Sequence, residues 1–345
     1  VSELKKWAKE HMRGVENVTI PSFSPDLSEL DEEGIRWDVR QAVAHGFFST
    51  LCAAEVGLTF EEAKRFVEIV TSEAKGKICV STTLLFDTIE QNIEFAKHAQ
   101  RVGCNTALLG YPAGFAPASA EEVYRVTKEI CDAAPDLGIV VYATHQVNFE
   151  RLDLMGFPME ILDRLADIGN VVAMKIGSND FAFIYECFAR CGDKILVNAP
   201  MPDMAAITVA KYGQQWLGAA VYEMWQSPEK PYLVDYFNLL LEGKPDKAIE
   251  IYRRISPLTG SLYGANLMSI MYGAYPWSVF KYYQWCVGGN GGLVRQPFPK
   301  PFMPGPDFMM MTKAAYRSVG IEPREPDEEF FVGRVNYAKR QKKGE

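Results

Sequence analysis

A repeated alternation constrains this chain more than any other feature. Short apolar, β-branched runs recur roughly every 23–33 residues, and each is followed by a stretch with helical spacing. The runs cover residues 18–23, 46–51, 77–81, 106–110, 138–142, 171–177, 194–198 and 218–221. Apolar runs of this length predict strands covered on both faces, and strands alternating with amphipathic helices predict a parallel sheet. Eight such units predict an α/β fold of the (β/α)8 TIM barrel type. A doubly wound sheet would need a glycine-rich phosphate loop after the first strand, and Ser22-Phe23-Ser24-Pro25 is not one.

Capping signals support the helices. Thr59 and Glu62 form a capping box ahead of a helix over residues 60–74, and Ser119 caps one over 120–133. Further helices are predicted at 2–12, 32–44, 87–102, 158–166, 180–189 and 203–212. After Gln226 the pattern turns wholly helical, with helices expected at 231–241, 245–255, 262–285, 307–319 and 327–339. A Gly288-Gly289-Asn290-Gly291-Gly292 loop and a proline-rich stretch interrupt them. No low-complexity linker intervenes. Residues 1–226 therefore read as a barrel with an N-terminal helix, and 227–345 as a C-terminal helical extension packed on it.

The net charge is -8, and the basic residues cluster only at Lys339-Arg340 and Lys342-Lys343. This argues against a nucleic-acid partner. No apolar run is long enough for a membrane span, and Val1-Ser2-Glu3-Leu4-Lys5-Lys6 lacks the apolar core of a signal peptide, so a cytoplasmic protein is expected. Seven cysteines, an odd number without a CxxC pair, suggest reduced thiols. Four histidines without ligand spacing give no sign of a metal, and no cofactor is expected.

The chemistry centres on Val171-Val172-Ala173-Met174-Lys175-Ile176-Gly177. A lysine is rarely buried without a partner. Desolvation lowers its pKa, and a neutral amine on a rigid strand can attack a carbonyl to form a Schiff base. The competing reading is a strand-end lysine that snorkels to water. Barrel chemistry gathers at the carboxyl ends of strands. Those ends collect Ser22, Cys52-Ala53-Ala54-Glu55, Ser81-Thr82-Thr83, Tyr111, Tyr142-Ala143-Thr144-His145, Lys175 and Asn198. Tyr142 and Lys175 fall on neighbouring strands, where a tyrosine hydroxyl can shuttle the protons that Schiff-base formation requires.

With these residues in place, the chain resembles the dihydrodipicolinate synthase/N-acetylneuraminate lyase family of class I pyruvate aldolases. Residues 46–55, with Leu58-Thr59 and Glu61-Glu62, resemble the family's G-T-T-G-E loop and its following helix. Leu109-Gly110-Tyr111 resembles the end of the fourth strand. Val140-Val141-Tyr142 resembles the strand ending in Y-N-x-P, and Met174-Lys175 matches the Schiff-base lysine. The resemblance implies that Lys175 and Tyr142 are catalytic, and that Cys52, Ala53, Tyr111, His145 and Asn198 contact substrate. It also implies a homo-oligomer, a dimer or tetramer, acting on a 2-oxo acid and an aldehyde. Two departures stand out. Cys52 and Ala53 replace the two threonines, removing a relay hydroxyl. Val147 lies near the position where the lysine-pathway members carry an arginine. Tyr142-Ala143 is closer to the hydratase-aldolases that cleave arylidene-pyruvates. A sugar-acid aldolase or dehydratase, and an inactive member with a binding or regulatory role, are the alternatives.

Overall fold

The computed structural model describes residues 2–144, 149–153, 156–178, 180–218, 220–272, 275–295 and 303–343, with the backbone alone for 261–272. His145 and Val147 lie outside the described residues. The strands are β1 (Gly14–Thr19), β2 (Ser49–Cys52), β3 (Cys79–Leu84), β4 (Thr106–Leu109), β5 (Gly138–Thr144), β6 (Val171–Gly177), β7 (Leu196–Asn198) and β8 (Trp216–Leu217). They pair in parallel in the order β7-β6-β5-β4-β3-β2-β1-β8. Side chains bridge β7 to β8. Asn198 Nδ2 donates to Gly218 O, and Gln214 Nε2 donates to Asn198 Oδ1 at 3.1 Å and to Trp216 O at 2.9 Å. The result is a (β/α)8 barrel.

The barrel helices are α1 (Glu3–His11), α2 (Glu32–Ala44), α3 (Phe60–Ala74), α4 (Ile89–Val102), α5 (Ala120–Ala133), α6 (Leu162–Asp167), α7 (Phe181–Cys191) and α8 (Pro202–Tyr212). The C-terminal region adds α9 (Tyr232–Leu241), α10 (Pro245–Tyr272), α11 (Trp277–Cys286), α12 (Pro306–Ser318), α13 (Asp327–Val332) and α14 (Arg334–Lys343). The Thr59–Glu62 box is complete at the start of α3, and Thr88 with Gln91 forms a second at α4. Each such cap is worth about 1 kcal/mol.

Five expectations are corrected. The first strand is Gly14–Thr19 rather than 18–23, because the strand admits two polar residues, Glu16 and Asn17, that break the apolar pattern yet are buried. The eighth is Trp216–Leu217 rather than 218–221; Gly218 follows it, where a Cβ would lie 2.5 Å from Glu16 Oε2. The predicted helix at 245–255 continues to Tyr272 through Pro257, and the aromatic stretch 262–285 divides between α10 and α11. The last predicted helix is two, parted at Gly333, whose φ is +82°.

The parallel strands separate two apolar layers. Val141, Ala143, Met174 and Ile176 pack outward against the barrel helices. Val140, Tyr142, Val172 and Ala173 belong to the inner layer, which continues under the C-terminal helices. Fully burying one such aliphatic side chain is worth about 1.5–3 kcal/mol. A buried ion pair fixes α11 to the barrel: Lys281 Nζ lies 2.7 Å from Asp38 Oδ2 on α2 and 2.8 Å from Ser22 Oγ after β1.

Glu223 follows β8 under this region. Its Oε1 accepts from Asn17 Nδ2 at 2.7 Å and from Gln284 Nε2 at 3.1 Å. Its Oε2, Asn17 Oδ1 and Gln284 Oε1 are buried acceptors without a donor among the described residues. A proton on Oε2 turns one acceptor into a donor, and burial raises the Glu223 pKa to about 7. The native state then binds this proton more tightly than the unfolded chain does. The associated stability is complete below the ordinary glutamate range and is lost as pH rises through about 7. Glu223→Gln keeps the accepted bonds and supplies a permanent donor. Its unfolding free energy at pH 8 should exceed the wild type's by on the order of 2–3 kcal/mol, with the gain vanishing near pH 4. A variant less stable than wild type at pH 8 in urea titrations would contradict this.

Candidate active site

β5 and β6 place the two central side chains. Their register pairs Tyr142 with Lys175, and β6 to β7 pairs Lys175 with Asn198. Inward-facing residues alternate along a strand, so Val140 and Tyr142 share the lumen side with Ala173 and Lys175. Lys175 is only 8% exposed. Its Nζ stands 5.1 Å from the centre of the Tyr142 ring. Burial brings the lysine pKa down to about 8, while Glu16 and Glu55 hold it from falling further. A substantial neutral fraction is then present at mildly alkaline pH, on a strand that fixes its direction of attack.

Glu16 is the carboxylate that the sequence reading missed. It projects from β1 into the lumen, where Oε1 accepts from Ser49 Oγ at 2.9 Å and from Ser81 Oγ at 2.7 Å, and Oε2 accepts from Trp216 Nε1 at 3.0 Å. Four strands thus converge on one carboxylate, whose own pKa burial raises. A charged residue at a fully buried strand position marks it, a signal that only the folded chain gives. Glu55, after β2, accepts from Thr83 Oγ1 at 2.5 Å. Burial raises its pKa also.

The loop residues divide by direction. Ala53 lies in the inner layer, with its N–H donated to Thr19 O at 3.1 Å. Cys52 lies in the outer layer, where burial pushes its thiol pKa well up. Thr83 Oγ1 accepts from Ala54 N at 3.0 Å, so a hydroxyl from β3 braces the loop from which the threonines are lost. Tyr111 also faces outward. Its hydroxyl lies 2.5 Å from Thr127 Oγ1 on α5, and its ring packs on Phe115 and Phe149. Asn198 is fully buried and engaged in the β7–β8 closure. The structure therefore brings Lys175, Tyr142 and Ala53 to the lumen side, and turns the Cys52 thiol and the Tyr111 hydroxyl away from it.

One more group reaches Tyr142. The Tyr275 hydroxyl, between α10 and α11, lies 2.9 Å from the Tyr142 hydroxyl. Burial, first, and this neighbour, second, raise the Tyr142 pKa well above the ordinary phenol value, so Tyr142 is held as a neutral hydroxyl. No sequence motif marks Tyr275, because its place depends on how the C-terminal region folds back.

The comparison with known sequences gives the family. The profile of the dihydrodipicolinate synthetase family matches residues 25–274. The chain belongs to that family. It is thereby a lyase on a class I aldolase scaffold. Among its relatives, a 4-hydroxy-tetrahydrodipicolinate synthase of Syntrophobacter fumaroxidans is 27% identical over 239 residues, covering 68% of this chain and 78% of that one. A probable 5-dehydro-4-deoxyglucarate dehydratase of Bacillus licheniformis is 25% identical over 232 residues, covering 66% and 71%. The N-acetylneuraminate lyase of Fusobacterium nucleatum, solved with pyruvate, superposes with a TM-score of 0.69 at 17% identity, over 90% of this chain and 98% of that one. Among the described residues no helix is long and apolar enough to cross a membrane, and no group of three side chains is arranged to hold a metal ion.

The charge balance around Lys175 is testable. Replacing Glu16 by Gln keeps an oxygen for the two serines and removes a negative charge, which lowers the lysine pKa. The pH dependence of Lys175 acylation by a dilute acid anhydride, read on its peptide by mass spectrometry, should show a midpoint of about 8 in the wild type. The variant's midpoint should be lower. An unchanged or higher midpoint would mean that Glu16 does not set the lysine's charge.

Proposed function

We propose that the protein forms an imine between Lys175 and the keto carbon of a pyruvate-type 2-oxo acid, and that it makes or cleaves the carbon–carbon bond beside it. One observation carries this: a buried lysine with a pKa of about 8, in register with a buried tyrosine held neutral. In the proposed reaction the neutral Lys175 nitrogen adds to the carbonyl carbon, and its surplus proton passes to the former carbonyl oxygen. Tyr142 delivers a second proton to that oxygen, water leaves, and the iminium remains. The iminium then withdraws electrons from the adjacent bond.

The best specific reading is a hydratase-aldolase on an arylidene-pyruvate. Water adds to the double bond conjugated with the iminium, and the new hydroxyl collapses to an aldehyde as the carbon–carbon bond breaks. The resulting enamine takes up a proton, and a second water hydrolyses the imine to pyruvate. Since one water left on imine formation, the net reaction consumes one water. An apolar surround near the Tyr142 hydroxyl supports an aromatic acceptor: Tyr275 packs on Trp277 at 5.2 Å and on Phe280 at 6.3 Å between ring centres. An aromatic ring gains roughly 25 cal/mol per Å² of apolar burial, whereas a second carboxylate without a cation is costly to desolvate. Arg151, a possible source of that cation, donates to Pro117 O. The dehydratase relative keeps one second reading open, loss of water from a sugar acid through the same imine.

Incubation with pyruvate and borohydride should add a reduced pyruvyl group to the Lys175 peptide, and Lys175→Ala should abolish it. Label on another lysine, or none, removes the imine from the account. Tyr142→Phe should lower turnover by about 10²–10⁴-fold. With pyruvate as donor, aromatic aldehydes should exceed aspartate semialdehyde in kcat/KM. The opposite ranking would return the chain to the dicarboxylate-forming group.

A further inference from the structure

Iminium formation from a neutral amine consumes one proton overall: a carbonyl, an amine and a proton give an iminium and water. That proton originates in solvent, while the hydroxyl that delivers it belongs to Tyr142, which is only 6% exposed. The two carboxylates near the lysine are engaged by other side chains. Glu55 is bonded to Thr83, and Glu16 is held by Ser49, Ser81 and Trp216. Cys52, the last residue of β2, carries a thiol in place of a hydroxyl, and its side chain lies in the outer layer.

Tyr275 answers the requirement by position. It is half-buried, less enclosed than Tyr142, and its hydroxyl lies 2.9 Å from that of Tyr142. Its placement is built into the fold. Trp277 N donates to Tyr275 O at 2.9 Å where α11 begins, and Trp277 and Phe280 pack against the ring. α11 is itself seated on the barrel by the Lys281–Asp38 pair.

We propose that Tyr275, supplied by the C-terminal region of the same chain, is the proton relay between solvent and Tyr142. In the forward direction Tyr142 gives its proton to the departing hydroxyl of the carbinolamine. Tyr275 gives its proton to Tyr142 and takes the consumed proton from a hydronium ion or buffer acid in solvent, so both phenols end as they began. Imine hydrolysis runs the same path backward. The proposal rests on Lys175 imine chemistry and makes the C-terminal region part of the site rather than a covering.

The test is Tyr275→Phe, which keeps the ring and its packing on Trp277 and Phe280. Pyruvate is mixed with the full-length protein, and borohydride quenches at short times give the rate of Lys175 labelling. The rate should fall by roughly 10–100-fold, at or below the lower end for acid–base groups. It should then rise with the concentration of a small buffer acid such as imidazole, to which the wild-type rate should be indifferent. Buffer rescue separates a lost proton carrier from a disturbed site. An unchanged rate in the variant, or a lowered rate that no buffer restores, overturns the relay while wild-type labelling leaves the imine standing. Absence of labelling in the wild type overturns both.

Discussion

The site depends on removing one ammonium group from water. Lys175 is placed where burial lowers its pKa from the ordinary lysine value to about 8. This costs the fold on the order of 3 kcal/mol below that pH, and the cost disappears as pH rises to the ordinary lysine range. Two carboxylates, Glu16 on β1 and Glu55 in the loop after β2, limit it. Too little negative charge would leave the lysine neutral but hard to protonate, and too much would hold it as ammonium. A barrel suits such tuning, because β1, β2, β3, β6 and β8 all contribute to one enclosed lumen.

A second buried lysine shows the contrasting use of the same residue. Lys281 is fully buried, with its ammonium on Asp38, Ser22 and Ile20 O. Close pairing makes it an anchor: removing either partner of such a pair typically costs about 3–5 kcal/mol. The anchor ties α11 to the carboxyl end of β1, and Tyr275 lies just ahead of α11. The C-terminal helices thus complete the hydrogen-bonded surroundings of Tyr142.

Much of this was legible because the barrel repeats. The apolar runs, the Thr59–Glu62 box and the Lys175 strand each carried a local signal, and β6 has the bounds expected of it. The misplacement of β1 has a physical cause. Glu16 and Asn17 resemble loop residues until partners distant in sequence enclose them. For the same reason Glu16 was absent from the candidate site. The directions of Cys52 and Tyr111 escaped because strand alternation decides which side a residue faces, and a family motif gives only its place in the chain. Tyr275 lay beyond any motif, 133 positions from the hydroxyl it meets.

The central claim is that the Lys175 amine is the group that takes the 2-oxo acid. A crystal structure of the protein soaked with pyruvate tests it most directly. The account predicts continuous density from Lys175 Nζ to the keto carbon, with the Tyr142 hydroxyl within hydrogen-bonding distance of the new bond. Pyruvate bound without a covalent link, or joined to a different lysine, would contradict it.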